Sequence, residues 1–497
     1  MGRAAMSRSS GFGRVRAALF PRAARYGAPG GSAAPAGVHE AARGLAAPET
    51  ERALQCVWFD PSLRPGAMRT AAGEPVFVEH PGEWNLRAGP DFIGAALRIG
   101  VEKRRIEGDV EIHVRPSDWT AHGHARDPRY ARVRAHVTFF PGRLPPEELP
   151  PGAVQIALRD ALAADPAFTF DHIDLSAYPY AAPATPAPCA LVLADWTPDD
   201  KEALLAAAGE ERLRRKAERL AIACAERGAE TAFYEEYLTA LGYPENKAPF
   251  RRLAAALPLD TLRAIADGDP LRAEALLAGM ADLLPAAIES DWSEAARRHA
   301  RALWDHWWKI RPETGGLNRS AWQRSGVRPA NHPVRRIAGA AWFLTRKESP
   351  VEGLRRCAAQ PDPVSALLNW LDVRSDTFWG VHSSLTAPRS PHPIALIGRS
   401  RATAILINVA VPMAAALDLG ALFADGGLHG LPPEAPSDRL RAIAHTLFGP
   451  GHPPSLYRSG LRRQGLLQIF HDYCLHNRSH CAECGFPTWL RERNSSL

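Results

Sequence analysis

The sequence has no apolar run long enough to span a bilayer. The longest, Ala402 to Leu417, is broken by Asn408 and Pro412 and falls short of the roughly 20 residues a membrane helix needs. No membrane partner is therefore expected. Cysteine is scarce, seven in 497 residues, and three of the seven crowd the C-terminus as Cys474, Cys481 and Cys484. Such sparse usage excludes a secreted disulfide scaffold and points to a reducing, cytoplasmic setting. Acidic residues are missing altogether before Glu40, whereas Arg3, Arg8, Arg14, Arg16, Arg22 and Arg25 precede it, and these six account for the whole net charge of +6. The rest of the chain is balanced, so the basic excess is not the footprint of a nucleic-acid binder. A fixed-period repeat, a GxSxG elbow and an HExxH helix are absent too, which disfavours solenoids, the familiar serine esterases and zincins. Gly398 to Pro412 lacks the Lys-Ser/Thr pair of a phosphate loop.

What is present is ordinary globular composition, 46 % hydrophobic and 23 % charged, with enough apolar residues for more than one core. Residues 1–48 are rich in Arg, Ala, Gly and Pro without periodicity and are expected to be a disordered arm; the absence of a continuous apolar segment argues against a secretory leader. Residues 49–178 predict an α+β domain with a mixed sheet. A helix over Glu49 to Asp60 is followed by strands at Glu74 to His80, Phe92 to Ile99 and Arg105 to Val114. A helix started by Ser117 and running to Ala131 leads to a strand at Val133 to Phe140, and a short strand-like piece follows at Ala153 to Leu158. A Pro-rich linker is expected at 179–195. From 196 to 465 nine segments with 3.6-residue apolar repeats predict a helical domain, among them Thr261 to Leu284 and Trp292 to Lys309. Residues 466–497 carry the cysteines and a tail.

The densest chemistry lies in Gly89 to Val137. If Asp109, Glu111 and His113 alternate along a strand, all three side chains share one face, because the strand period is two. Val110, Ile112 and Val114 would then anchor the opposite, buried face and leave the polar row presented on the other. Adjacent carboxylates repel unless a cation lies between them, which points to a divalent metal. His122 and His124, with His113 or His136, could instead bind zinc if the loop brings them together. The plain structural alternative is a hydrogen-bonded network in which Asp118 caps a helix and Asp127-Pro128 forms a turn.

Pro90-Asp91, then Glu111-Ile112-His113 twenty residues on, within an order of helix, three strands, helix and strand, resembles the PD-(D/E)xK nuclease superfamily. The resemblance implies a restriction-endonuclease-like topology with Asp91 and Glu111 holding Mg²⁺ or Mn²⁺ and Glu51 supporting from the first helix. His113 stands where that superfamily has its water-activating lysine. Phosphodiester hydrolysis is the implied reaction. A non-catalytic module binding nucleic acid or protein, and a zinc-dependent hydrolase of small substrates, are the rival expectations. The strings LQCVW, PGEWNLRAGPDF, GDVEIHVRPSDWTAHGHARDPRY, AHVTFF, RPANHPVRRI, INVAVP and YCLHNRSHCAEC, in this order, are similar to a bacterial family catalogued as domain of unknown function 2851. That family implies architecture and no activity.

At the C-terminus, His471, Cys474, Cys481 and Cys484 have two ligand pairs at the close spacing of a metal knuckle. Zinc is expected there, with His471 as the favoured fourth ligand and His476 or His480 as competitors. An iron–sulfur cluster is the second choice, since some nucleases of the superfamily named above carry one near their C-terminus. Cys56, Cys189, Cys224 and Cys357 read as small core residues. Arg328, Asn331 and Arg335, at a helix start, offer a phosphate site against the plainer reading of solvated arginines. Trp304, Trp307 and Trp308 at helical spacing read as core.

Overall fold

In the computed structural model the described residues are 50–86, 89–173, 175, 178–179, 186–312, 315–325, 327–434, 438–449, 451–475 and 481–494, with 19, 45, 47 and 48 besides. Most of the arm expected at 1–48, and both His476 and His480, lie outside them. The described residues fall into two compact units, one drawn from Asp195–Gln468, the other from Gly30–Ala194 together with Ile469–Leu497. Among the described residues no helix is long and apolar enough to cross a membrane.

The second of these is an α+β unit built on a mixed sheet. Its strands are β1 (Met68–Arg69), β2 (Pro75–His80), β3 (Glu83–Trp84), β4 (Phe92–Ile99), β5 (Arg104–His113), β6 (Val133–Thr138) and β7 (Val154–Ala157). The order is β1-β2-β4-β5-β6-β7, with β3 added to β4. β2, β4 and β5 run antiparallel, and β5, β6 and β7 run parallel. The sheet curls until its edges touch, Thr70 bridging to Ile156. Helix α1 (Glu51–Phe59) forms because Leu54, Val57 and Trp58 fall on one side, and it ends at Asp60-Pro61, where proline cannot continue a helix. Those three side chains are wholly buried against Phe92, Val110, Ile112 and Val137. Burial at about 1.5–3 kcal/mol per large apolar side chain is what docks α1 on the sheet. Arg52, also buried in α1, donates to the carbonyls of Leu175, Tyr178 and Pro179 and lies over the Trp84 ring.

The helix expected from Ser117 to Ala131 is not one helix. It is α2 (Asp118–Ala121) followed by two 3₁₀ turns, His124–Arg126 and Pro128–Tyr130. Gly123, at φ +75°, turns the chain out of the helix, and Asp127 accepts the Arg129 N–H to start the next turn. Ser117 is itself helical and does not cap; the Asp118 carboxylate accepts the N–H of Arg115 instead. The unit is completed by α3 (Arg159–Ala163), by α4 (Pro188–Ala194) inside the stretch expected to be a linker, and by α5 (Phe486–Asn494) at the C-terminus.

The other unit is almost entirely helical. The segment expected as one helix over Thr261 to Leu284 is two, Leu259–Ala266 and Pro270–Met280, split where Asp267 takes a left-handed conformation (φ +49°) ahead of Gly268 and Pro270. A helix over Pro350–Ala358 carries a capping box between Ser349 and Glu352. On the helix Glu294–Ile310 the three tryptophans are not uniformly core. Trp304 and Trp307 are half-buried, whereas Trp308 is 58 % exposed, stacked on Trp304 and covered by Arg311.

Candidate functional site

Strand β5 delivers the polar row as its alternation dictates, but both of its faces are buried. Asp109 and Glu111 are 4 % exposed and His113 is fully enclosed. The expectation that the row faces open surface is corrected by the segment from α2 to Tyr130, which folds back over it. Trp119, fully buried, meets the His113 ring edge-on and donates its indole N–H to the Glu148 carbonyl. Tyr130 stacks on His124 at 3.9 Å between centroids.

The two carboxylates singled out in the sequence are locked to each other's strands. Asp91, just ahead of β4, accepts the Ile112 N–H at 2.9 Å on Oδ2 and the Gln55 amide at 2.7 Å on Oδ1. Glu111 Oε2 accepts the Asp91 N–H at 3.0 Å. Gln55 lies one turn beyond Glu51 on α1, an i,i+4 pairing that was legible in the sequence but carried no signal by itself. Asp109 Oδ1 accepts the N–H of Gly94, at the bulge in β4 where the ladder leaves that donor unpaired. Asp109 and Asp118 thus serve the backbone.

The other oxygen of Glu111 faces imidazoles. Glu111 Oε1 is 3.2 Å from His124 Nε2 and 3.6 Å from His113 Nε2, and His113 Nε2 is 3.2 Å from His122 Nδ1. Among the described residues, His113, His122 and His124 are the trio of potential metal ligands whose ligand atoms all lie within 4.8 Å of one another. Four donors at 2.0–2.1 Å around a tetrahedral ion stand about 3.3 Å apart, which matches these separations. The Gly123 turn is what allows residues 122 and 124 to converge on one point. His113 Nδ1 is held at 2.9 Å by His136 Nε2, a second imidazole behind the first. His122 is exposed, so the cluster opens to solvent on its side.

Burial dominates the electrostatics of the cluster. Burial, then the charge of Glu51, push the Glu111 carboxyl well above the ordinary range. Burial, followed by the neighbouring rings of His136, His124 and His122, lowers His113 to about 2. His136 falls to about 4 and His124 also drops, again chiefly through burial. Burial thus works against the charged forms of His113, His124, His136 and Glu111 alike. His124 Nε2, though near Glu111, is buried without a hydrogen bond, as is His136 Nδ1. Such orphaned buried polar atoms are costly unless something completes them.

Of the other residues singled out, Arg335 is enclosed and donates to the carbonyls of Trp379, His382, Ile394 and Ala395. Its fork is taken up by backbone. Asn331 accepts from Arg336, and Arg328 is exposed. The structure gives these three no common anion site. His471 sits with its Nδ1 3.4 Å from the Asp472 carboxylate.

Fold and site together define a protein with an α+β unit, which carries a buried histidine–carboxylate cluster on a mixed sheet, and a helical unit. The chain belongs to the family described as protein of unknown function (DUF2851), whose model matches residues 51–419. No curated protein and no solved structure matches it.

Proposed function

We propose that the protein is a metal-dependent hydrolase whose divalent ion, zinc by the nature of its donors, is held by His113, His122 and His124 beside Glu111. The observation that carries this reading is the convergence of three imidazoles whose ligand atoms lie within 4.8 Å of one another, with Glu111 Oε1 3.2 Å from His124 and 3.6 Å from His113. A divalent ion held there would supply Lewis-acid activation of a water molecule. Glu111, beside the imidazoles and with its proton affinity raised by burial, would be the acceptor for the water's proton. His136 holds the His113 ring with its Nε2 toward His122 and Glu111. Exposed His122 marks the side from which a small substrate enters.

A second reading is favoured by the topology. Antiparallel β2, β4 and β5 are joined in parallel to β6, with Asp91 leading β4 and Glu111 in β5, and this arrangement supports a PD-(D/E)xK-like reading. In that case Asp91 and Glu111 would hold Mg²⁺ or Mn²⁺ for phosphodiester hydrolysis, with Glu51 in support.

Metal analysis of the purified full chain, combined with hydrolysis assays on esters, amides, DNA and RNA, decides between them. Bound zinc, lost together with activity in His122→Ala and Glu111→Gln, supports the first reading. Nuclease activity that needs Mg²⁺ or Mn²⁺ and Asp91 but survives His122→Ala supports the second. Metal-free protein inactive on every substrate removes both and leaves the non-catalytic interaction module.

A further inference from the structure

Cys189 stands alone in the sequence, 285 positions before the first cysteine of the C-terminal group. The fold ends that isolation. It lies in α4, which packs against α5, and α5 begins two residues after Cys484. Both helices belong to the same compact unit. Cys474 is the last residue of a π-helical turn, Phe470–Cys474, and Cys481 opens a 3₁₀ turn in which the Cys484 N–H bonds back to the Cys481 carbonyl at 3.3 Å. That turn puts Cys481 and Cys484 on one loop end. The Tyr473 and Phe486 rings, 4.4 Å apart, tie the Cys474 segment to the start of α5. All four thiols are free of disulfides.

We infer that Cys189, Cys474, Cys481 and Cys484 together ligate one iron–sulfur cluster, with Cys189 as the fourth thiolate in the place first given to His471. Four thiols from three separate segments belong to one unit, on elements that the contact between α4 and α5 brings together, while His471 is turned toward Asp472. The thiols also feel one another. Cys189 is raised to about 12 by burial, with Cys484 and Cys481 adding to it, and Cys474 rises through burial and then through Cys189, Cys484 and Cys481.

The spacing selects the kind of centre. Four thiolates at about 2.3 Å from a single Zn²⁺ stand about 3.8 Å apart. Among the described residues the trio that meets a mutual 4.8 Å limit is the histidine trio, and no three of these sulfurs do. A [4Fe–4S] cube holds its four cysteines farther apart, because the irons and sulfides stand between them.

The test uses the full chain purified without oxygen. Iron and acid-labile sulfide at about four each per chain, with a broad visible charge-transfer absorption, are expected. Cys189→Ser should lose most of the iron and the absorption, while His471→Ala keeps both. To separate ligation from folding, wild-type protein is also alkylated in its native state and mapped by mass spectrometry. Cys189 should be protected with the other three, and all four should become reactive together once ferricyanide and a chelator dismantle the cluster. Zinc in place of iron, iron unchanged in Cys189→Ser, or Cys189 reacting independently of the other three would each overturn the inference.

Discussion

Asp91 and Glu111 clasp each other's strands: the Glu111 carboxylate accepts the Asp91 N–H at 3.0 Å, and the Asp91 carboxylate accepts the N–H of Ile112, the residue after Glu111, at 2.9 Å. The pair fixes β5 against the entry of β4, and through Gln55 it fixes α1 as well. One oxygen of Glu111 is consumed in this clasp, and the other is left for the imidazoles.

The clasp predicts a stability cost whatever the reaction. Asp91→Ala removes two hydrogen bonds to a buried carboxylate and leaves two donors unpaired, so it should destabilise by about 2–4 kcal/mol. Urea melts of wild type and variant measure this. A change under 0.5 kcal/mol would show that the bonds contribute little.

Stability of metal-free protein should fall as pH drops below the ordinary histidine range. His113 and His136 are depressed to about 2 and about 4, so between those values and about 6.5 the unfolded chain binds more protons than the folded one. Each group then costs about 1.4 kcal/mol per pH unit across its window. His136→Gln should flatten this slope in melts followed from pH 7 to 4.5.

Glu111 has the opposite sign. Its folded carboxyl keeps its proton above the usual range, so the metal-free protein loses stability as pH rises past the ordinary carboxylate value. Glu111→Gln should remove that loss and melt higher than wild type at pH 7 in the presence of chelator. A lower melting temperature would mean that the carboxyl is not desolvated as described.

If zinc enters the imidazole cluster, its ligands must give up their protons, so binding should weaken as pH falls, with the raised proton affinity of Glu111 adding to the release. Calorimetric titration in buffers of different ionisation enthalpy reads the release, and Glu111→Gln should lower it.

In the helical unit Arg335 is a tie between segments. Arg335→Met leaves four carbonyls without their donor and should cost about 3 kcal/mol or more. Phosphate at millimolar levels should leave the wild-type melting temperature unchanged, since the guanidinium is already saturated.

Local chemistry alone laid down much of the sheet unit. Strand β4 spans Phe92–Ile99 as its β-branched and aromatic residues and the bounding Gly and Pro predict, and α1 ends where Asp60-Pro61 requires. The common face of Asp109, Glu111 and His113 followed from the two-residue period alone. Whether that face met water did not follow, because covering it depends on Trp119 and Tyr130 returning over the sheet. Helical periodicity misread the returning segment, since Gly123 and Pro128 break it into turns. It is those turns that swing His122 and His124 onto His113. Cys189 shows the same division on a larger scale: spacing rules reach a few residues, whereas the packing of α4 on α5 joins groups nearly three hundred apart. Element identity is set by neighbours along the chain. Which side chains share a site is set by how apolar faces, once formed, are buried against one another.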